Sequence, residues 1–251
     1  MPLETAQPRT RLASELNLPP LFSEVRLREV GDAFAHATLV ASNQGAGTLV
    51  YVGRFDLAEF AVVLEPDEPL RKARRVFYAG MAALADALAA HAQPETSIII
   101  DWPDSIFVNR GLVGGGRLAW PHDVREHETP PWLVFGGMVR TVSMTGVEPG
   151  LNPLVTALEE EGFSDVMSSH VVESFARHLM VAIDSWQESG FAPVAKNYLQ
   201  RLPREQGIRD IDDNGDLLVR RLGKVDTIRQ EFLPRLMQPT WFDPVAKGPR
   251  T

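Results

Sequence analysis

A chain of 251 residues with 44% hydrophobic content can bury a full core, and no apolar run approaches the roughly 20 residues of a membrane helix. The absence of cysteine excludes a disulfide framework, a thiolate nucleophile and a cysteine-ligated metal. A formal charge of -8 argues against a nucleic-acid partner, and an N-terminus without a basic-then-apolar order makes the cytoplasm the expected compartment.

Residues 1–20 carry Pro2, Pro8, Pro19 and Pro20 among polar residues and predict an irregular arm. The alternation over 22–30 predicts a first strand, and Ala33, Phe34, Ala37 and Val40 predict a short helix over 32–40. A polar glycine turn follows, Ser42-Asn43-Gln44-Gly45-Ala46-Gly47-Thr48. It leads into a strand over 49–52, paired with an apolar strand over 60–64. Asp67-Glu68-Pro69 is a helix start. Leu70, Ala73, Phe77, Met81, Leu84 and Leu88 then form one apolar stripe through residue 91. The charges of Arg71-Lys72-Ala73-Arg74-Arg75 are expected on the solvated side of this helix, where they offer a face to an acidic partner.

The most informative stretch is 98–118. A β-branched run ends at Trp102-Pro103-Asp104, a second apolar run reaches Asn109, and Gly114, Gly115 and Gly116 open a third. This pattern predicts three strands with tight connections. Asp104 should emerge at a strand end beside backbone that a ligand can approach closely. His122 and His127 fall in a polar loop with no helical ligand spacing and are expected to be solvated. Residues 132–142 predict a core strand whose Gly136 and Gly137 permit a bulge or close ligand contact.

From Asn152 the chain reads as helical. Asn152-Pro153 caps a short helix, Ser168 or Ser169 caps a longer one bearing Val171, Phe175, Leu179 and Ile183, and a third spans 191–202. Beyond 204, a hairpin turning at Asp212-Asp213-Asn214-Gly215-Asp216 begins a small appendage that closes with Pro239-Thr240-Trp241-Phe242-Asp243-Pro244. The expected organisation is an arm over 1–20, a main domain over 21–203 and a C-terminal subdomain over 204–251.

The order of these elements resembles the catalytic domain of the biotin and lipoate protein ligase family. Four places carry the resemblance: the 42–47 turn, similar to the family's glycine-rich loop; Trp102-Pro103-Asp104, similar to its Trp-Pro-Asn-Asp signature; residues 112–118, in the place of its lysine-containing glycine strand; and Val134-Phe135-Gly136-Gly137-Met138-Val139, similar to its apolar strand. The resemblance implies an α/β (α+β) fold of the class II synthetase and biotin-ligase type, with a mixed, largely antiparallel sheet flanked by helices. It implies a ligase that activates biotin, lipoate or octanoate with ATP and Mg2+ and passes the acid to a lysine of an acidic carrier domain. Asp104 would face the metal or ribose. Gln44, Gly45, Ala46, Gly47, Thr48, Trp102, Asn109, Gly114, Gly115, Gly116, Gly136 and Gly137 would line the ligand.

The family lysine falls at Gly111 or Leu112, the second signature acid falls at Ser105, and no lysine lies between Lys72 and Lys196. On the family resemblance, Arg110 or Arg117 is then the candidate to supply the cation, although a rigid fork does not reproduce a flexible ammonium. A non-catalytic relative that binds the acid or its carrier domain is the alternative. The related acyltransferases, which proceed through a cysteine thioester, are disfavoured because the chain has no cysteine.

Overall fold

The computed structural model describes residues 15–144, 154–204, 207–221, 223 and 226–250. In chain order the elements are β1 (Ser23–Leu27), α1 (Ala33–Gln44), β2 (Thr48–Val52), β3 (Leu57–Leu64), α2 (Leu70–Ala73), α3 (Val76–Ala89), β4 (Ile98–Asp101), β5 (Ser105–Val108), β6 (Gly111–Ala119) and β7 (Leu133–Arg140). A 3-10 turn (Leu158–Glu161) precedes α4 (Ser168–Ser189), α5 (Ala192–Gln200), β8 (Ile208–Ile211), β9 (Leu217–Arg220), β10 (Thr227–Gln230), α6 (Phe232–Leu236), β11 (Phe242–Asp243) and β12 (Gly248–Pro249).

The first seven strands form one sheet in the order β1-β2-β3-β7-β6-β5-β4, antiparallel except for the parallel β1–β2 pair. This is the mixed, largely antiparallel sheet flanked by helices that the sequence implies. Alternation along each strand sends side chains to two faces. On one face Phe60 of β3 and Phe135 of β7 pack against the ring of Phe175 from α4, with α3 beside it. Burial of each such ring contributes roughly 2–3 kcal/mol. On the other face, Ala33, Ala37 and Ala41 let α1 lie close on Val50, Ala61, Val63 and Val134.

α1 covers only part of that second face. Over β6 and β7 the covering element is the C-terminal segment, where Trp241 packs on Leu57, Leu112 and Met138. β12 lies against β6 and β7, and the Arg140 guanidinium donates to the Pro249 and Arg250 carbonyls. The 208–219 hairpin forms as expected, and β10 adds a third strand to it.

Several local expectations are corrected. The helix expected over 67–91 breaks at Arg74 and Arg75, where the amides of Arg75, Phe77 and Tyr78 bond three residues back. The break turns both arginines inward. Arg74 is buried and forms a two-pronged pair with Glu126, and Arg75 pairs with Glu68 and Asp213 beneath the rings of Trp186 and Phe191. The 71–75 run is therefore not a uniformly solvated basic face. α1 runs through Gln44, so the following turn begins only at Gly45. Met167, not a serine, precedes α4, and the Ser168 hydroxyl instead donates to the Arg54 carbonyl. The expected Asn152-Pro153 cap lies outside the described residues.

Candidate ligand site

Three strands and two covering elements meet on the α1 face of the sheet. Gly115 and Arg117 of β6, Gly136 and Met138 of β7, and Glu59 of β3 share this face, because Gly115 pairs with Met138, Arg117 with Gly136, and Met138 with Glu59. The N-terminus of α1 approaches from one side. Its first amide, on Ala33, donates to Glu59 Oε1 at 2.9 Å, and Asp32 caps the helix through the Ala35 amide at 2.9 Å. The C-terminal segment approaches from the other side. Phe34 of α1 and Phe242 of β11 bracket the Arg117 guanidinium, with ring centroids 4.4 and 4.1 Å from its central carbon.

Arg117 is the cation where these elements meet. Among the described residues its guanidinium has no hydrogen-bond acceptor and no ion pair; it is held by two aromatic faces while its N–H groups stay available. Burial pulls its pKa down, while the negative charges of Asp32 and Glu59 pull it back up. An arginine stays charged throughout. Glu59 is buried, and burial raises its carboxyl pKa against the bond from Ala33 and the charges of Arg54 and Arg117.

Asp104 and the glycine strand are neighbours, as the sequence implied, since the Gly116 amide donates to the Asp104 carbonyl at 2.9 Å. The space between them is filled. The Asp104 side chain accepts from the Ser105 hydroxyl at 2.9 Å and from the Thr240 amide at 3.3 Å. Only 2% of Asp104 is exposed, and burial raises its pKa to about 6. The Trp241 indole covers Gly115 and donates through Nε1 to the Gly116 carbonyl at 3.1 Å. Gly116 backs onto Met81 and Phe135, Gly114 onto the Met138 carbonyl, Gly136 onto Phe34, and Gly137 onto Phe60. These glycines make room for the protein's own side chains and backbone.

Residues 18–200 match the model of the biotin/lipoate A/B protein ligase family. The chain belongs to that family. A biotin–[acetyl-CoA-carboxylase] ligase from Paracoccus denitrificans is 28% identical over 185 residues, which is 63% of this chain and 72% of the relative. A biotin protein ligase-like protein of unknown function from Silicibacter sp. TM1040 superposes with a TM-score of 0.75 at 26% identity, covering 88% of this chain and 98% of that one. The biotin protein ligase of Aquifex aeolicus in complex with biotin and ATP superposes with a TM-score of 0.60, covering 82% of this chain and 94% of that one, and at 14% identity shares the fold.

In this biotin/lipoate ligase family member the other sequence-derived candidates lie apart from Arg117. Arg110 is exposed at the β5–β6 turn with a φ of 78°, and the seven steps of chain from it to Arg117 span roughly 20 Å of strand. Asn109 holds that turn by accepting from the Ser97 amide and donating to Glu161. Gly45, Ala46, Gly47 and Thr48 follow the end of α1 beside Val63 and Glu65. That is the end of β3 opposite Leu57, about 13 Å along the strand from Glu59. Trp102 faces the other layer, its indole donating to the Tyr78 hydroxyl.

The donor set does not fit a metal at Asp104, whose carboxylate is spent on Ser105 and Thr240 and buried beneath them. Among the described residues no three His, Asp or Glu side chains converge on one point. The sequence reading did not place Glu59, Phe34, Thr240, Trp241 or Phe242 at a site. An acid inside a strand that is otherwise fully apolar was the available signal for Glu59. No local pattern connects 240–242 with β6.

Proposed function

We propose that this chain is a divergent biotin/lipoate-type ligase that takes a small carboxylic acid against Arg117, activates it with ATP and passes it to a carrier-protein lysine. The observation carrying this reading is the Arg117 guanidinium, clamped between Phe34 and Phe242 with its donors unspent among the described residues. A planar fork of this kind matches a carboxylate with two parallel hydrogen bonds, and removal from water strengthens both. In the activation step a carboxylate oxygen attacks the α-phosphorus of ATP and pyrophosphate leaves. The lysine amine then attacks the acyl carbon and AMP leaves. Arg117 contributes by offsetting the repulsion between carboxylate and phosphate.

A second reading, a family member that binds the acid without activating it, is favoured by the sealing of Asp104 beneath Thr240. Isotope exchange between pyrophosphate and ATP, stimulated by biotin, lipoate or octanoate, separates the two. Exchange with any of these acids supports the ligase. Saturable calorimetric binding without exchange supports the binder, and absence of both removes Arg117 as an acid site.

A further inference from the structure

The glycine turn at 45–47, set apart from Arg117, forms one wall of an open groove. Its backbone is pinned there: the Gly47 amide donates to the Val63 carbonyl at 2.9 Å, the Ser23 amide to the Gly47 carbonyl at 3.0 Å, and the Ala46 amide to Glu65 at 3.2 Å. Facing it is the second half of α4. Two hollows of about 360 and 320 Å³ lie between them and share Ala46, Leu64, Ile183 and Gln187, so they run into one another along the helix. From Leu179 to Gln187 the groove follows eight steps of α4, roughly 12 Å. Leu64 is five positions along β3 from Glu59, roughly 17 Å, and alternation sends it to the opposite face of the sheet, so this space is separate from the Arg117 region.

The floor of the groove is apolar. Phe22, Ile183 and Trp186 are only half-buried there, and Leu21 at the rim is 73% exposed. The rim is acidic: Glu65, Asp67, Glu68 and Asp184 line the two hollows, and no Lys, Arg or His does. Arg75 neutralises Glu68, whereas Glu65, Asp67 and Asp184 have no ion pair among the described residues. Exposed apolar side chains framed by polar ones mark a surface that a partner covers, and unneutralised carboxylates around it favour a cation. This is the reverse of the basic face that the sequence led us to expect at 71–75.

We propose that this groove docks a basic amphipathic helix of a partner protein. Its apolar side chains, three and four positions apart, enter beside Ile183 and Trp186, while Lys or Arg on its flanks meets Glu65, Asp67 and Asp184. The length along α4 suits about two turns. Charge selects this occupant, because a second copy of the chain brings a further net charge of -8 and an anionic lipid surface is repelled in the same way. The docking role stands independently of acid binding at Arg117.

The test is fluorescence anisotropy of a labelled model peptide of about 15 residues, with leucine at every third or fourth position and lysine between, titrated with the full chain. A counterpart carrying glutamate in place of lysine is run beside it. The lysine peptide should bind one-to-one and the glutamate peptide should not. Asp67→Lys combined with Asp184→Lys should weaken the lysine peptide about tenfold. Glu95→Lys combined with Asp123→Lys makes the same change in net charge at exposed positions outside the groove and should leave the affinity unchanged. Leu21→Ser, at a position already open to solvent, should weaken binding about tenfold even in about 1 M salt, where rim charges are screened. All these positions are exposed, and circular dichroism confirms that each variant is folded. Equal weakening by the two charge-reversed pairs would mean diffuse attraction to an acidic protein and overturns the proposal. So does failure of the lysine peptide to bind, or a dimer in sedimentation that Leu21→Ser separates, which makes a second copy the occupant.

Discussion

Asp104 and Thr240, 136 positions apart in the chain, are joined by a bond from the Thr240 amide to one carboxylate oxygen and by a longer contact from its hydroxyl to the other. These bonds do not offset the cost of burying the charge, which raises the Asp104 pKa from 3.8 to about 6. A carboxyl raised on folding binds its proton more tightly in the native state. Its contribution to stability is therefore complete below the unfolded pKa and is lost as pH climbs through the folded one. Wild type should lose up to about 3 kcal/mol from this group between pH 4 and pH 7. Asp104→Asn removes the titration and should flatten that part of the profile. Urea denaturation of both proteins at four pH values checks this, and parallel profiles would sink it.

Arg117 offers a prediction about ligand and not about fold. Arg117→Ala should weaken binding of any acid the protein takes by about 2 kcal/mol, roughly 30-fold, because a charge-assisted bond is lost. Arg117→Lys should recover little of it, since a flexible ammonium neither lies flat between Phe34 and Phe242 nor forms a two-pronged pair. Isothermal titration of the three proteins decides, and equal affinities would falsify the assignment.

The glycines of β6 should differ among themselves according to what each one faces. A Cβ on Gly114 would run into the backbone carbonyl of Met138, which a paired strand cannot withdraw; a Cβ on Gly116 meets the Met81 sulfur, which can move, and the edge of Phe135. Gly114→Ala should therefore cost more than about 3 kcal/mol or prevent folding, whereas Gly116→Ala should cost about 1–3 kcal/mol. Chemical denaturation compares them, and a Gly114→Ala protein as stable as wild type would contradict the close approach.

What could be read from the chain and what could not divide along a physical line. The β4–β5–β6 run was legible because β-branched segments, a Trp-Pro-Asp stop and an apolar run ending at Asn109 are local signals, although the third strand starts at Gly111 and the glycine triplet lies inside it. The family resemblance left Arg110 or Arg117 in place of the missing lysine, and nothing local in the sequence chose between them. The glycines were legible as places of close approach, but what approaches them was not. Gly116 and the Trp241 that bonds to it are 125 positions apart, and nothing in a local pattern encodes that pairing. The inward turn of Arg74 and Arg75 was hidden for the same reason, because their partners Glu126 and Asp213 lie on distant segments.

Those buried arginines supply the last prediction. Arg75 is nearly inaccessible, lies on the Trp186 and Phe191 rings, and is the cation for both Glu68 and Asp213. Arg75→Glu would bury a third carboxylate beside those two acids, of which Asp213 keeps only Lys72 as a cation, and an uncompensated buried charge of this kind costs about 3–5 kcal/mol. Arg71 is exposed one turn earlier, and its reversal should change stability by no more than about 0.5 kcal/mol. Thermal and urea unfolding of the two charge-reversed proteins distinguishes these roles. If Arg71→Glu and Arg75→Glu proved equally tolerated, the inward turn at the α2–α3 break would be wrong, and the 71–75 run would again be available as a basic surface for an acidic carrier domain.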